Sequence, residues 1–146
     1  MVTISLCMIV KNEERVLGRC LESVQEIADE IIIVDTGSED RTKEIAEKYH
    51  ARVYEQEWQD DFSRARNYSF SRAEMDYCMW LDADDIITKS EVLKLKHWKE
   101  ETDGSSDVIM LRYVTDFDEK RNPTLVYYRE RIVKRDKDFQ WQGRVH

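Results

Sequence analysis

Residues 2–10 form an unbroken run of apolar and β-favouring side chains. The polar stretch that follows gives way to Val16, Leu17, Cys20, Leu21 and Val24, spaced as one stripe of a helix. A strand and then a helix are predicted, with Asn12 as the helix cap. The pattern then repeats. Glu30-Ile31-Ile32-Ile33-Val34-Asp35 is a second, nearly all-apolar strand, Thr36-Gly37-Ser38 a turn, and residues 39–50 a second helix. Arg52-Val53-Tyr54-Glu55 predicts a short third strand. After a polar connection over 56–61, a helix over 62–74 carries Phe62, Ala65, Ser69 and Ala73 on one face. Tyr77-Cys78-Met79-Trp80-Leu81 is the fourth strand. Strands that read as solid apolar runs, separated by helices of crossover length, predict a mainly parallel sheet in a three-layer α/β fold.

Past residue 88 the pattern changes. Residues 89–101 form a charged amphipathic helix, and 107–117 and 125–134 are long β-rich runs around a turn at Arg121-Asn122-Pro123. A mixed or antiparallel extension follows from that. No internal repeat and no linker rich in Pro, Gly or Ser divides the chain, so 1–146 is expected to be one domain, with a ligand-binding half over 1–87 and an extension over 88–146.

A chain of 146 residues, 41% hydrophobic and 37% charged with one Pro, can bury one ordinary core and excludes disordered or collagen-like classes. Its net charge of -8 argues against a nucleic-acid or anionic-membrane surface. Cys7, Cys20 and Cys78 all sit at apolar positions and read as buried thiols of a reducing compartment. The first ten residues lack a basic leader and a cleavage site, and no apolar run approaches the roughly 20 residues of a membrane span, so a cytoplasmic protein is expected.

The chemistry concentrates where the strands end. Asp82-Ala83-Asp84-Asp85 follows the fourth strand, and in an open α/β sheet ligands bind in the crevice outside the carboxyl ends of the strands. Carboxylates packed this closely repel one another unless a cation lies between them, and hard oxygen ligands suit Mn²⁺ or Mg²⁺. An EF-hand is excluded, because the sixth position counted from Asp82 is Ile87 and the twelfth is Leu93. A phosphoaspartate enzyme of the haloacid-dehalogenase type, with Asp82 as nucleophile, is the rival enzyme reading, although its motif normally opens the domain. Helix capping by Asp84 or Asp85 leaves the clustering unexplained. Asp35, ending the second strand, either accepts hydrogen bonds from a ribose or base or caps the next turn. Arg64 and Arg66, two apart on a helix, point to different sides.

Four segments in order resemble the family 2 glycosyltransferases of GT-A fold. They are Ser5-Leu6-Cys7-Met8-Ile9-Val10-Lys11-Asn12-Glu13, Ile33-Val34-Asp35-Thr36-Gly37-Ser38-Glu39-Asp40-Arg41-Thr42, Phe62-Ser63-Arg64-Ala65-Arg66-Asn67 and Trp80-Leu81-Asp82-Ala83-Asp84-Asp85. The resemblance implies a GT-A three-layer α/β/α domain with a mixed C-terminal extension on the acceptor side. It also implies metal-dependent, inverting transfer of a sugar from a nucleoside-diphosphate sugar, a UDP-sugar being favoured, to an acceptor hydroxyl. Donor contacts would come from Val10, Lys11, Glu13, Asp35, Arg66, Asp82 and Ala83, with Asp35 at the base. The metal would lie chiefly on Asp84, with Asp82 at the ribose or a metal-bound water and Asp85 ligating or supporting. Asn67 reads as structural.

Trp141-Gln142-Gly143-Arg144-Val145-His146 resembles a tryptophan-glycine-arginine-valine-histidine-glutamate segment of one branch of the family, and His146 is a further candidate metal ligand. The glutamate that would follow is absent, and an inverting transfer needs a carboxylate base. Asp116, Asp118 and Glu119 are the candidates within the chain. The expectation is therefore a donor-binding fragment of a longer protein, weakly active or inactive by itself, with a non-catalytic nucleotide-sugar-binding module as the alternative.

Overall fold

In the computed structural model, which describes residues 1–117, 119–120 and 123–142, six strands form one sheet in the order β3-β2-β1-β4-β6-β5. Strands β1 (Ile4–Val10), β2 (Glu30–Asp35), β3 (Arg52–Glu55) and β4 (Tyr77–Trp80) are mutually parallel, while β6 (Pro123–Lys134) runs antiparallel to both β4 and β5 (Val108–Phe117). Between them lie α1 (Leu17–Val24), α2 (Thr42–Lys48), α3 (Phe62–Ser71) and α4 (Lys89–Glu101).

The solid apolar runs arise because both faces of the sheet are covered. Alternation within each strand divides the core in two. Ile4, Leu6, Met8, Val10, Ile31, Ile33, Tyr77 and Met79 join the cluster built with Leu17, Leu21, Val24, Ala46, Val92 and Leu95 from α1, α2 and α4. The intervening Cys7, Ile32 and Cys78 face the other way, into a smaller cluster with Ala73, Val133 and the α3 residue Phe70. The three cysteines are free and buried, as expected of apolar positions. Among the described residues, no helix is long and apolar enough to cross a membrane.

This layering fixes the ligand edge. From β1 through β2 to β3 the chain steps one way, using helices on one face. From β3 to β4 it returns past β2 and β1 with α3 on the opposite face, since a right-handed crossover changes face when the direction of winding reverses. The reversal opens a crevice between the carboxyl ends of β1 and β4.

Boundaries shift where loops tie to each other. Asn12 does not cap α1: it has φ 52°, its N–H donates to Ser38 Oγ, and its side-chain oxygen accepts from Glu39 N–H. Polar groups drawn into that loop-to-loop bridge cannot also start helices, so α1 begins at Leu17 and α2 at Thr42, after Asp40 Oδ1 accepts the N–H and hydroxyl of Thr42. Pro123, expected in a turn, instead opens β6 opposite Phe117, a strand end where a missing N–H is tolerated.

Candidate donor site at the carboxyl edge of the sheet

A cavity of about 360 Å³ occupies the crevice between the ends of β1 and β4. Val10, Lys11, Glu13, Arg66, Asp82, Ala83 and Asp84 line it, so seven positions nominated from sequence come together. Ile9, Thr36, Trp58 and Phe62 complete the wall. Trp58 was missed: it lies in the polar connection before α3, and its place becomes visible only when its indole meets Phe62 edge-on at 4.9 Å. The signal was a large aromatic in an otherwise polar loop.

Asp35 sits beside this wall with 2% of its surface exposed. Its Oδ1 accepts the N–H groups of Gly37 (2.9 Å) and Ser38 (2.7 Å), which requires the tight turn that Gly37 makes at φ 118°. Its Oδ2 is buried and accepts no hydrogen bond from the described residues. A buried carboxylate oxygen left this way calls for a donor from outside the chain. Of the two roles foreseen for Asp35, the turn-closing one is present, and it occupies only one of the two carboxylate oxygens.

The acidic turn after β4 is held from several directions. Asp85 N–H donates to Asp82 O (3.0 Å), and Asp82 N–H donates to Asp85 Oδ2 (2.8 Å). Arg66 Nη2 meets Asp82 Oδ1 at 3.2 Å, and Arg131 Nη1 meets Asp85 Oδ2 at 3.0 Å. Both guanidinium groups lie over the Trp80 ring, at 4.8 Å and 4.1 Å, and Arg66 also lies 4.7 Å from the Trp141 ring. Trp141 is fastened to α3 by two hydrogen bonds with Asn67, whose side chain accepts from Trp141 N–H and donates to Trp141 O. Asn67 is therefore structural, as expected.

Asp84 projects outward and accepts no hydrogen bond from the described residues. The negative field of the turn is felt by its neighbours. Partial burial, then Asp84, Asp40 and Asp82, raise the Glu13 carboxyl above its ordinary value. Burial, then Asp85, Asp82 and Asp84, push the Cys20 thiol up to about 12. Arg66 is lowered by burial, with Asp82 opposing the shift. The raised Glu13 value has a definite sign for stability. The folded state holds its proton to higher pH than the unfolded chain, so this contribution is present at acid pH and is lost as pH climbs from the usual glutamate range through the raised value. Urea unfolding across that window is expected to show a falling limb that Glu13→Gln flattens.

Among the described residues, no three carboxylate, thiol or imidazole groups converge on one point. Asp82 and Asp84 nevertheless suit a hard divalent cation, because Mg²⁺-like ions are commonly held by one or two carboxylates with substrate phosphates and water supplying the rest. Asp85, offered either as ligand or as support, spends its Oδ2 on Arg131 and the Asp82 N–H. His146 and Asp118 lie outside the described residues, as does the stretch 143–146 that resembles the branch segment. Glu119 is exposed, and the Asp116 backbone stands opposite Leu125, well along the β5–β6 ribbon from the Met79–Ile132 pairing that ties it to β4.

Comparison with known proteins agrees with this geometry. A TPR repeat-containing protein of Synechococcus elongatus is 37% identical over 147 residues, covering 100% of this chain and 35% of the relative. The SPbeta prophage-derived glycosyltransferase SunS of Bacillus subtilis is 33% identical over 95 residues, covering 64% of this chain and 22% of the relative. The chain thus spans about a third or less of the length of these curated relatives. Among solved structures, S. aureus TarS in complex with UDP superposes with a TM-score of 0.65 at 24% identity, over 84% of this chain and 38% of that one. Glucosyl-3-phosphoglycerate synthase from Mycobacterium tuberculosis, in complex with Mn²⁺, UDP and glucosyl-3-phosphoglycerate, gives a TM-score of 0.50 at 25% identity, over 56% of this chain and 33% of that one. These likenesses make the fold GT-A. Residues 5–146 match the family described as Glycosyl transferase family 2, and the chain belongs to that family.

Proposed function

We propose that this chain binds a nucleoside-diphosphate sugar, with UDP as the nucleotide, together with Mn²⁺ or Mg²⁺, and that it serves inverting transfer of the sugar to an acceptor hydroxyl. The observation that carries the reading is the convergence of Val10, Lys11, Glu13, Arg66, Asp82, Ala83 and Asp84 on one cavity where the winding of the sheet reverses. The family match supports it, and so does the Mn²⁺ and UDP held by the mycobacterial synthase.

In this reading Asp35 Oδ2 accepts an N–H of the base, which would relieve its unmet hydrogen bond. Asp82, held by Arg66, faces the ribose, and Asp84 reaches outward to the cation. Asp84 and Asp82 would hold the divalent cation, which would supply stabilisation of the negative charge developing on the departing nucleoside diphosphate. Lys11 adds a cationic side chain on the same wall. The carboxylate that takes the acceptor proton is assigned to the extension, with Asp116, Asp118 and Glu119 as its candidates. A phosphoaspartate mechanism at Asp82 fits less well, because its Oδ1 is already paired with a buried guanidinium.

Calorimetric titration with UDP, in the presence and absence of Mn²⁺, tests the reading. Mn²⁺ is expected to tighten UDP binding, and Asp84→Ala to weaken the metal-dependent binding by at least about 100-fold, since loss of an outer-shell partner alone costs about 10- to 100-fold. UDP affinity indifferent to both changes, or phosphate trapped on Asp82, would overturn it.

A further inference from the structure

Arg131 is a guanidinium side chain near the end of β6, 3% exposed, immediately before the core residues Ile132 and Val133. Its Nη1 donates to Asp85 Oδ2 at 3.0 Å and reaches the Trp80 carbonyl oxygen at 3.4 Å, and its guanidinium lies 4.1 Å from the Trp80 ring. Asp85 Oδ2 also accepts the Asp82 N–H at 2.8 Å, and the Asp85 N–H returns to Asp82 O. The arrangement is a relay from the antiparallel extension into the acidic turn. Burying a guanidinium costs several kcal/mol unless its partner is well placed, so a pair kept here holds one geometry at the expense of tolerance to others. Through this pair β6 reaches Asp85, whose Oδ2 in turn holds the N–H of Asp82 on the cavity wall.

We propose that Arg131 and Asp85 are positioning residues for the donor site. Asp85 binds neither metal nor nucleotide but closes the turn that presents Asp82 and Asp84, and Arg131 fixes Asp85 in the orientation that does so. The proposal rests on the donor-binding reading above and adds a division of labour within the acidic cluster. Two chemistries for Asp85 separate cleanly. A cation ligand needs the charge of the carboxylate. A turn-closing acceptor needs only an oxygen in the right place, which asparagine retains.

The test measures UDP binding with and without Mn²⁺ for the native chain and for Asp85→Asn, Asp85→Ala, Arg131→Met and the double variant Asp85→Ala/Arg131→Met, with circular dichroism checking that each is folded. Asp85→Asn is expected to stay within about threefold of native affinity, while Asp85→Ala and Arg131→Met weaken the metal-dependent binding by about 10- to 100-fold. The double variant should be no weaker than the worse single variant, because both remove one interaction. UDP binding without metal should change little, which a general loosening of the fold would not allow. If Asp85→Asn loses as much as Asp85→Ala, Asp85 is a ligand and the proposal fails. If Arg131→Met binds UDP and Mn²⁺ like the native chain, the positioning role fails. Should any variant prove unfolded, Asp85→Asn and Arg131→Lys carry the decision, the lysine being expected to fall short of native because it cannot reproduce the planar fork. Failure of the native chain itself to bind UDP would instead overturn the donor-binding reading, and this proposal with it.

Discussion

Asp82→Ala is expected to lower both stability and nucleotide binding, whereas Asp84→Ala lowers binding alone. The two carboxylates stand two residues apart on the same turn, yet their surroundings differ. Asp82 is the ion-pair partner of Arg66, whose side chain is only 7% exposed, so alanine at 82 leaves a guanidinium stranded among Trp80, Trp141 and the strand ends. Breaking a fully buried pair from one side costs about 3–5 kcal/mol. The Asp82 side chain keeps 30% of its exposure, and water screening reduces that figure to about 2 kcal/mol. Asp84 is exposed, and its removal should shift stability by no more than about 0.5 kcal/mol. Guanidinium chloride unfolding and UDP–Mn²⁺ titration of both variants would show this separation. Equal destabilisation by the two would mean that the Arg66 pair contributes nothing.

The second large effect is Trp80→Ala. Trp80 is 2% exposed, its indole N–H donates to Glu130 O at 2.7 Å, and its ring meets Trp141 edge-on at 5.0 Å. Removing a buried aromatic of this size costs about 3–5 kcal/mol through lost burial and the cavity left behind. Here the loss is compounded because Arg66 and Arg131, the cations that hold Asp82 and Asp85, rest over that ring. Trp80→Phe keeps a ring face but not the N–H, and is expected to cost less than half as much. Denaturant midpoints give the first comparison. The metal-dependent part of UDP binding gives the second, and should fall with Trp80→Ala even where the variant remains folded.

How far the sequence carried is best seen residue by residue. Strands β1, β2 and β4 were legible because a strand buried on both faces must be apolar throughout, whereas the edge strand β3, Arg52–Glu55, was legible only as a short β-favouring run after a helix. Helix α4 was legible from Lys89 to Glu101, since its amphipathic pattern has polar loops on either side. The start of α2 was not, because Glu39 and Asp40 have helix-compatible side chains but bridge the loops after β1 and β2, the Glu39 N–H donating to Asn12 Oδ1 and Asp40 Oδ2 accepting the Glu14 N–H. Asp82 and Asp84 stood out as charges where an apolar run stops. Arg131 did not, because it sits in a run whose composition suits a strand, and Trp141 stood out only as the first residue of the stretch 141–146 that resembles a family segment, not as a cover for Arg66. Their meaning depends on partners 46 and 74 residues away, Asp85 and Asn67. Contacts at such separations leave no local periodicity to read.

That same separation has a consequence for the nascent chain. The β1-α1-β2-α2-β3 unit can emerge from a ribosome and begin to assemble from neighbours in sequence, and the aspartate-bearing turn follows soon after. Arg131, the partner of Asp85, and the indole that covers Arg66 are translated only later, at roughly 5–20 residues per second, so Asp85 waits some seconds without its guanidinium. The binding edge is thus completed only after β6 is made, and a premature stop in decoding that strand would release a chain with its first strands paired and Asp85 unbraced.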